Sequence, residues 1–203
     1  MVSSMNRTWS LFVAVLLAGC SSSAVQAPLG GGRSAVGERI PADFAERESA
    51  IYHDLDPLVL RCTLRQNAQA GRVWLEQVSG KHLEGASGEE ILRLADEALA
   101  RHRELTAGEL ADAGWLVAEL VRAAQPSAYS WLEEQRQVAL KLEHAAAAPP
   151  LLPMQLAEDA WRGRKSLARL VGAVKGASGL LAEDPDCRGV NPADVLRHRF
   201  SWQ

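Results

Sequence analysis

Histidines and their acidic neighbours are the first candidates for chemistry in this 203-residue sequence. The five histidines are His53, His82, His102, His144 and His198. None belongs to a His-Glu-x-x-His motif, and no two cysteines have the short spacing of a zinc site. Asp194 and His198 stand four residues apart, as two metal ligands on one helix would, but a lone pair of this kind is more often a surface contact. The residues therefore predict no catalytic site, no metal ion and no cofactor.

A second candidate is a cluster of five cations in the last quarter of the chain: Arg162, Arg164, Lys165, Arg169 and Lys175. These side chains could contact anionic lipid headgroups, an acidic glycan or an acidic protein partner. The alternative is a solvated helix face whose charges are balanced by acidic neighbours such as Glu158 and Asp159. The cluster is therefore a possible anion-binding or partner-binding site, with both interpretations open.

The N-terminal residues follow the order of an export signal. A positively charged start leads into an apolar run that is shorter than the ~20 residues a membrane-spanning helix needs. The run ends in Leu17-Ala18-Gly19-Cys20, which resembles the lipobox of bacterial lipoproteins. In that family the chain is cut just before the cysteine, whose thiol receives diacylglycerol. The resemblance implies a signal peptide over residues 1–19 and lipidation of Cys20; the alternative is an ordinary secretory signal with a chance cysteine.

The residues after Cys20 indicate where the chain is anchored and how it is held. In lipoproteins of this type, the residues after the cysteine direct sorting. This chain has Ser21 and Ser22 there and no aspartate, which resembles lipoproteins of the outer membrane in Gram-negative cells. Gly, Ser and Pro dominate residues 20–38, which predicts a flexible tether with a reach of ~25 Å. Residues 39–203 are then expected to form one periplasm-facing domain.

Only two cysteines follow Cys20, namely Cys62 and Cys187. Export would place both in an oxidising compartment, where two thiols commonly pair. We therefore predict a disulfide between them, closing a loop that would stabilise the fold by ~4–5 kcal/mol in the chain-entropy model. The alternative is two free thiols, with Cys62 buried as a small apolar residue.

Apolar residues recur at helical spacing through most of the body of the chain. The pattern is clearest over residues 107–124, and Thr106 with Glu109 predicts a capping box at the start of that helix. Ser87 with Glu90 predicts a second start of the same kind. Together these signals indicate a domain built from amphipathic helices.

Further helices are predicted on both sides of these two. Ser130 with Glu133 predicts another capped helix, and after a group of prolines a long helix is expected over about 154–181. A short final helix would begin at Asn191 and Pro192. The fold class predicted from these elements is all-α, an irregular antiparallel bundle of about six helices.

The early part of the domain is more ambiguous. Residues 41–53 are typical of a helix, whereas residues 58–64 alternate as a strand would while residues 58–78 also fit helical spacing. We favour a helix for 58–78 because no partner strand is evident elsewhere.

The composition excludes one class of function and leaves several others open. The formal charge of −3 argues against a general nucleic-acid binder, which would be strongly basic. The leading hypothesis is a non-enzymatic, membrane-anchored scaffold, adaptor or modulator that binds a protein partner in the cell envelope. The alternatives are a periplasmic enzyme with an unrecognised site, or a module that binds lipid or peptidoglycan fragments in a cavity between helices.

Overall fold

The computed structural model describes residues 40–144, 148–177 and 184–192. Five α-helices and one two-stranded sheet lie in these ranges, with two short 3-10 helices at Leu167–Ala173 and Pro185–Cys187. The elements are α1 (Phe44–Ala50), α2 (Pro57–Ser79), α3 (Gly88–Arg101), α4 (Ala107–Ala124), β1 (Ser127–Leu132), β2 (Gln137–Leu142) and α5 (Pro153–Trp161). The predicted signal peptide and tether lie outside the described residues, as does most of the helix predicted from Asn191.

Helix α4 forms the centre of the core. Twelve of its eighteen residues are buried, and α2, α3 and α5 pack around it. Trp115 on α4 is fully enclosed and meets the ring of Tyr52 edge-on at 5.4 Å. The long apolar run of α4 therefore reflects a helix that is covered on nearly all sides.

The starts of α2, α3 and α4 are set by local side-chain hydrogen bonds. Thr106 Oγ1 accepts from the Glu109 N–H at 3.2 Å while the Glu109 carboxylate accepts from the Thr106 N–H at 2.9 Å, so the predicted capping box is confirmed. Ser87 caps α3 by accepting from the Glu90 N–H. Residues 58–78 are helical, as we favoured, with Asp56 capping α2.

Helices α2 and α4 approach each other closely at a glycine. A Cβ on Gly71 would overlap the backbone carbonyl of Asp112 on α4. Because glycine has no side chain, the two backbones can come together here, and the polar residues at one end of α2 lie beside those of α4. This contact positions the site described below.

The all-α prediction is wrong in one element, because residues 127–142 form an antiparallel hairpin rather than a capped helix. Ser130 and Trp131 lie in β1, and Trp131 pairs with Val138 on β2. Arg136 completes the turn in the left-handed region at φ 50°. The molecule is therefore mostly helical with one small sheet.

The long helix predicted over 154–181 is also wrong, since α5 ends at Trp161. Gly163 follows at φ 69°, and the chain then turns. Asp96 on α3 accepts hydrogen bonds from the Ser166 hydroxyl at 2.6 Å and from the Leu167 N–H at 2.7 Å, which fixes the new direction. The 3-10 helix Leu167–Ala173 begins there.

None of the helices in the described ranges is both long enough and apolar enough to cross a bilayer.

Candidate functional site

A groove of about 490 Å³ lies between β1 and the chain that leads into α2. We call it the β1 groove. One wall is formed by residues between Tyr52 and Arg61, the other by the five consecutive residues Ser127–Trp131, with Arg122 and Val138 beside them. Its size falls in the range of known ligand-binding clefts, ~300–1,000 Å³.

Aromatic side chains shape one side of the β1 groove. His53 meets the ring of Trp131 edge-on, with centroids 4.5 Å apart, and its Nδ1 lies 2.7 Å from the Asp54 carboxylate. Tyr129, two residues before Trp131, contacts Trp115 of the core with centroids 6.2 Å apart. Because residues two apart on a strand share a face, β1 holds Tyr129 and Trp131 together against the helices.

The charged lining of the β1 groove is cationic. Arg61 and Arg122 line it, and no carboxylate does among the residues that the structure describes. The guanidinium of Arg122 is held from behind by Glu119, which is fully buried. Arg122 Nε and Nη2 donate to the two oxygens of Glu119, each at 2.8 Å, in the forked geometry that suits a guanidinium and a carboxylate.

Glu119 joins β1 to this ion pair. The Tyr129 hydroxyl donates to Glu119 Oε1 at 2.8 Å, and Arg65 on α2 lies 4.0 Å from Oε2. Burial, together with the negative charge of Glu119, holds the pKa of Tyr129 well above its ordinary value of 10.0. The hydrogen bonds that Arg122 donates to the Glu119 carboxylate raise the pKa of Arg122. The tyrosine therefore stays a neutral donor and the arginine a fixed cation.

Arg61 and Arg65 are bridged to the end of the described chain. Arg61 Nη2 lies 2.9 Å from Asp186, and Asp184 lies 3.6 Å from Arg61 and 3.8 Å from Arg65. These three-way contacts hold the 3-10 helix Pro185–Cys187 against the first turns of α2.

The disulfide predicted from the sequence is present. Cys62 and Cys187 are joined with an S–S distance of 2.08 Å and Cα atoms 5.5 Å apart. Cys62 is buried beside Thr63 and Leu64, so the bond anchors the 184–192 segment directly to the core side of α2. The bond and the arginine–aspartate pairs thus act on the same two elements.

Three of the five cations in the predicted anion-binding cluster are paired within their own segment. Arg162 donates to Glu158 at 2.7 Å, and Arg164 and Lys165 reach Asp159 at 2.8 and 3.0 Å. Both carboxylates are buried. The structure therefore places these cations around the C-terminal end of α5 as local partners of its acidic residues.

The other two cations of that cluster lie elsewhere. Arg169 is on the 3-10 helix Leu167–Ala173, and Lys175 follows it near Gly176, which takes φ 85°. Neither forms an ion pair with a residue in the described part of the chain. Because α5 ends early, the five cations do not share one helix face, and their binding role stays a prediction.

Of the charged and aromatic residues that line the β1 groove, the sequence pointed to His53 as a candidate for chemistry, but not to Tyr129, Arg61 or Arg122. The pair of Glu119 and Arg122 could have been recognised in the sequence, since the two residues are oppositely charged and stand three residues apart in a run that is otherwise apolar. Tyr129 and Arg61 could not, because their meeting depends on how β1 packs against α2. In the described ranges no three His, Cys, Asp or Glu side chains come together as a metal site would require.

Comparison with known proteins gives no relative: no family model, no curated protein and no solved structure matches this chain.

Proposed function

We propose that this chain is an exported bacterial lipoprotein, anchored through Cys20 to the periplasmic face of the outer membrane, and that it acts there as a non-enzymatic adaptor for a cell-envelope complex. The observation that carries the proposal is the Cys62–Cys187 disulfide, considered together with the lipobox-like Leu17-Ala18-Gly19-Cys20. Structural disulfides persist in oxidising compartments and are rare in the reducing cytosol.

The β1 groove supports a binding role for the domain. It combines aromatic and aliphatic lining with two guanidinium groups, whereas the buried carboxylate of Glu119 is already engaged by Arg122 and Tyr129. The ion pair between Glu119 and Arg122 fixes the positions of groove side chains and keeps the Glu119 carboxylate engaged. The short tether predicted by the sequence would hold such a domain near the membrane.

The anchor is tested by labelling cells with an alkyne analogue of palmitate. The wild-type chain should incorporate the label and fractionate with the outer membrane on a density gradient. A Cys20→Ala variant should incorporate none and leave the membrane fraction, because it lacks the thiol that would carry the acyl chains. Label in the variant, or no label in the wild type, would contradict the anchor.

The adaptor role is tested on the same cells. After crosslinking in intact cells, the wild-type chain should co-purify from solubilised membranes with a partner in near-stoichiometric amount. Cys20→Ala serves as the control, since it should recover less of that partner. Recovery of the wild-type chain alone would count against the adaptor role.

A further inference from the structure

The outer edge of β1 is the feature that carries the inference. The register pairs Tyr129 with Leu140, and Leu140 exchanges hydrogen bonds with Leu151 on its other side, at 2.8 and 3.0 Å. Leu140 therefore directs its backbone N–H and C=O away from β1. In an antiparallel ladder the same holds for the residue opposite, so the backbone groups of Tyr129 point away from β2.

The alternation extends along the strand. Glu143 N–H donates to the Pro126 carbonyl at 3.0 Å, which places Pro126 among the residues that face β2. Ala128, Ser130 and Leu132 likewise direct their backbone N–H and C=O groups toward β2. The alternate residues Ser127, Tyr129 and Trp131 direct theirs to the outer edge. None of the described residues forms a hydrogen bond with those outward backbone groups.

This edge borders the β1 groove. All five residues from Ser127 to Trp131 line it, as expected for an edge; a face would contribute only alternate residues. The strand carries no charged residue and no proline, which are the usual means of blocking an exposed edge. At ~3.4 Å per residue its six residues offer roughly 20 Å of backbone.

We propose that the β1 groove binds an extended, acidic segment of a partner protein, which adds to β1 as a further strand. Backbone groups of Ser127, Tyr129 and Trp131 pair with the segment, and Arg61 and Arg122 receive its carboxylates. The inference rests on the proposed adaptor role, for which it names the docking site and the chemistry of the partner.

Hydrogen-bond complementarity decides between this occupant and two others. Arg61 is paired with Asp186, and Arg122 with Glu119, but the Nη1 group of each has no partner among the described residues. The chain's own last residues carry Arg197, His198 and Arg199, and a second copy would bring its own Arg61 and Arg122, so both would add donors to groups that can only donate. An acidic segment instead brings the acceptors that these groups need, and the described residues that line the groove include no carboxylate to repel it.

The edge geometry is tested first on the purified full chain. Amide hydrogen exchange should be fast at Ser127, Tyr129 and Trp131, compared with Ala128 and Ser130, whose N–H groups bond to β2. Equal protection of the two sets would overturn the proposal, since it would mean that the edge is already occupied.

The occupant is then selected from a random octapeptide phage library. The selected sequences should be rich in Asp and Glu and should protect the amides of Ser127, Tyr129 and Trp131 from exchange. N-methylation of one alternate set of peptide nitrogens should weaken binding at least about tenfold, while methylation of the other set should not, because only every second N–H faces β1. Recovery of no peptide, or equal effects of the two methylations, would overturn the proposal.

Two variants locate the binding site. Ser127→Pro removes one outward N–H without touching the β1–β2 ladder and should weaken the selected peptides at least about tenfold. Arg61→Gln should weaken acidic peptides, while Arg93→Gln on α3, outside the groove, should not. The proposal would be overturned if both Ser127→Pro and Arg61→Gln bound the selected peptides as well as the wild type does. It would also be overturned if the chain bound no peptide and instead formed a dimer in sedimentation that Ser127→Pro disrupts.

Failure here and failure of the proposed function are distinguishable. The peptide measurements use the purified chain whether or not it is acylated, so absence of palmitate label removes the anchor and leaves the β1 result intact. Conversely, an acylated chain that recovers its partner equally well with Ser127→Pro keeps the adaptor role and loses only this docking site.

Discussion

Tyr129 links the groove to the interior through one hydroxyl group. Its ring packs against Trp115, and its O–H donates to the buried carboxylate of Glu119, which Arg122 also holds. A hydrogen bond to a charged group is worth ~1.5–3 kcal/mol when its partner would otherwise be buried without it. Since Arg122 keeps Glu119 engaged, the lower part of that range applies to Tyr129.

Tyr129→Phe should lower the free energy of unfolding by about 1–2 kcal/mol near neutral pH. The pKa of Tyr129 is raised in the folded protein above its ordinary 10.0, so the stabilisation is full below pH 10 and is lost as the pH rises above it. The difference between wild type and variant should therefore shrink in alkaline solution. Urea unfolding followed by circular dichroism at about pH 8 and about pH 11 measures it.

The matched comparison is Tyr129→Phe against the wild type at each pH, because other titrating groups are common to both chains. A difference that stays constant, or that grows with pH, would show that the hydroxyl does not act as a neutral donor to Glu119.

At the scale of the elements, the contact between α2 and α4 depends on the missing side chain at Gly71. In an exposed helix, Ala in place of Gly would stabilise by roughly 0.5–1 kcal/mol. Here the new Cβ would overlap the Asp112 carbonyl, which belongs to the backbone and cannot rotate away. We expect Gly71→Ala to destabilise the protein by about 1–3 kcal/mol through forced separation of the helices.

Thermal unfolding of Gly71→Ala and Gly172→Ala provides the measurement and its control. Gly172 has open space where a Cβ would be placed, so its substitution should leave the midpoint nearly unchanged. An equal or smaller loss for Gly71→Ala than for Gly172→Ala would disprove the close-contact argument.

Local signals in the sequence predicted several elements correctly. The pairs Thr106–Glu109 and Ser87–Glu90 bond within one helical turn, so their meaning does not depend on the rest of the fold. The hairpin was missed for the opposite reason. Its turn, residues 133–136, consists of Glu and Gln followed by Arg136, all of which favour helix, and it lacks the Gly or Asn that marks most tight turns.

The strands themselves are stabilised by packing that the sequence does not display. Tyr129 packs against Trp115 on α4 and Trp131 packs against His53. Leu140 gains a backbone partner from Leu151, which directly follows Pro149 and Pro150 in the connection. The Cys62–Cys187 pair was predictable because only two cysteines remained to pair. The arginines and Tyr129 of the β1 groove were not, since three separate elements bring them together.

At the scale of the whole molecule, the disulfide joins residues 125 positions apart. A Cys62→Ala/Cys187→Ala double variant should lose about 4–5 kcal/mol of unfolding free energy, because its unfolded chain is no longer restricted by the closed loop. Urea unfolding of the oxidised wild type and of the double variant measures the loss. A reductant should bring the wild type to the level of the variant and leave the variant unchanged; a wild type that is insensitive to reductant would contradict the stabilising role.

The same bond makes a covalent ring of the chain from Cys62 to Cys187. Lys81 is exposed in the connection between α2 and α3, inside that ring. A protease that cuts there leaves two chains that the disulfide still joins, and they separate covalently only when a reductant cleaves that bond. One cut inside the ring therefore releases no fragment, whereas one cut between Cys20 and Cys62 separates the disulfide-closed part of the chain from the residues before the cut.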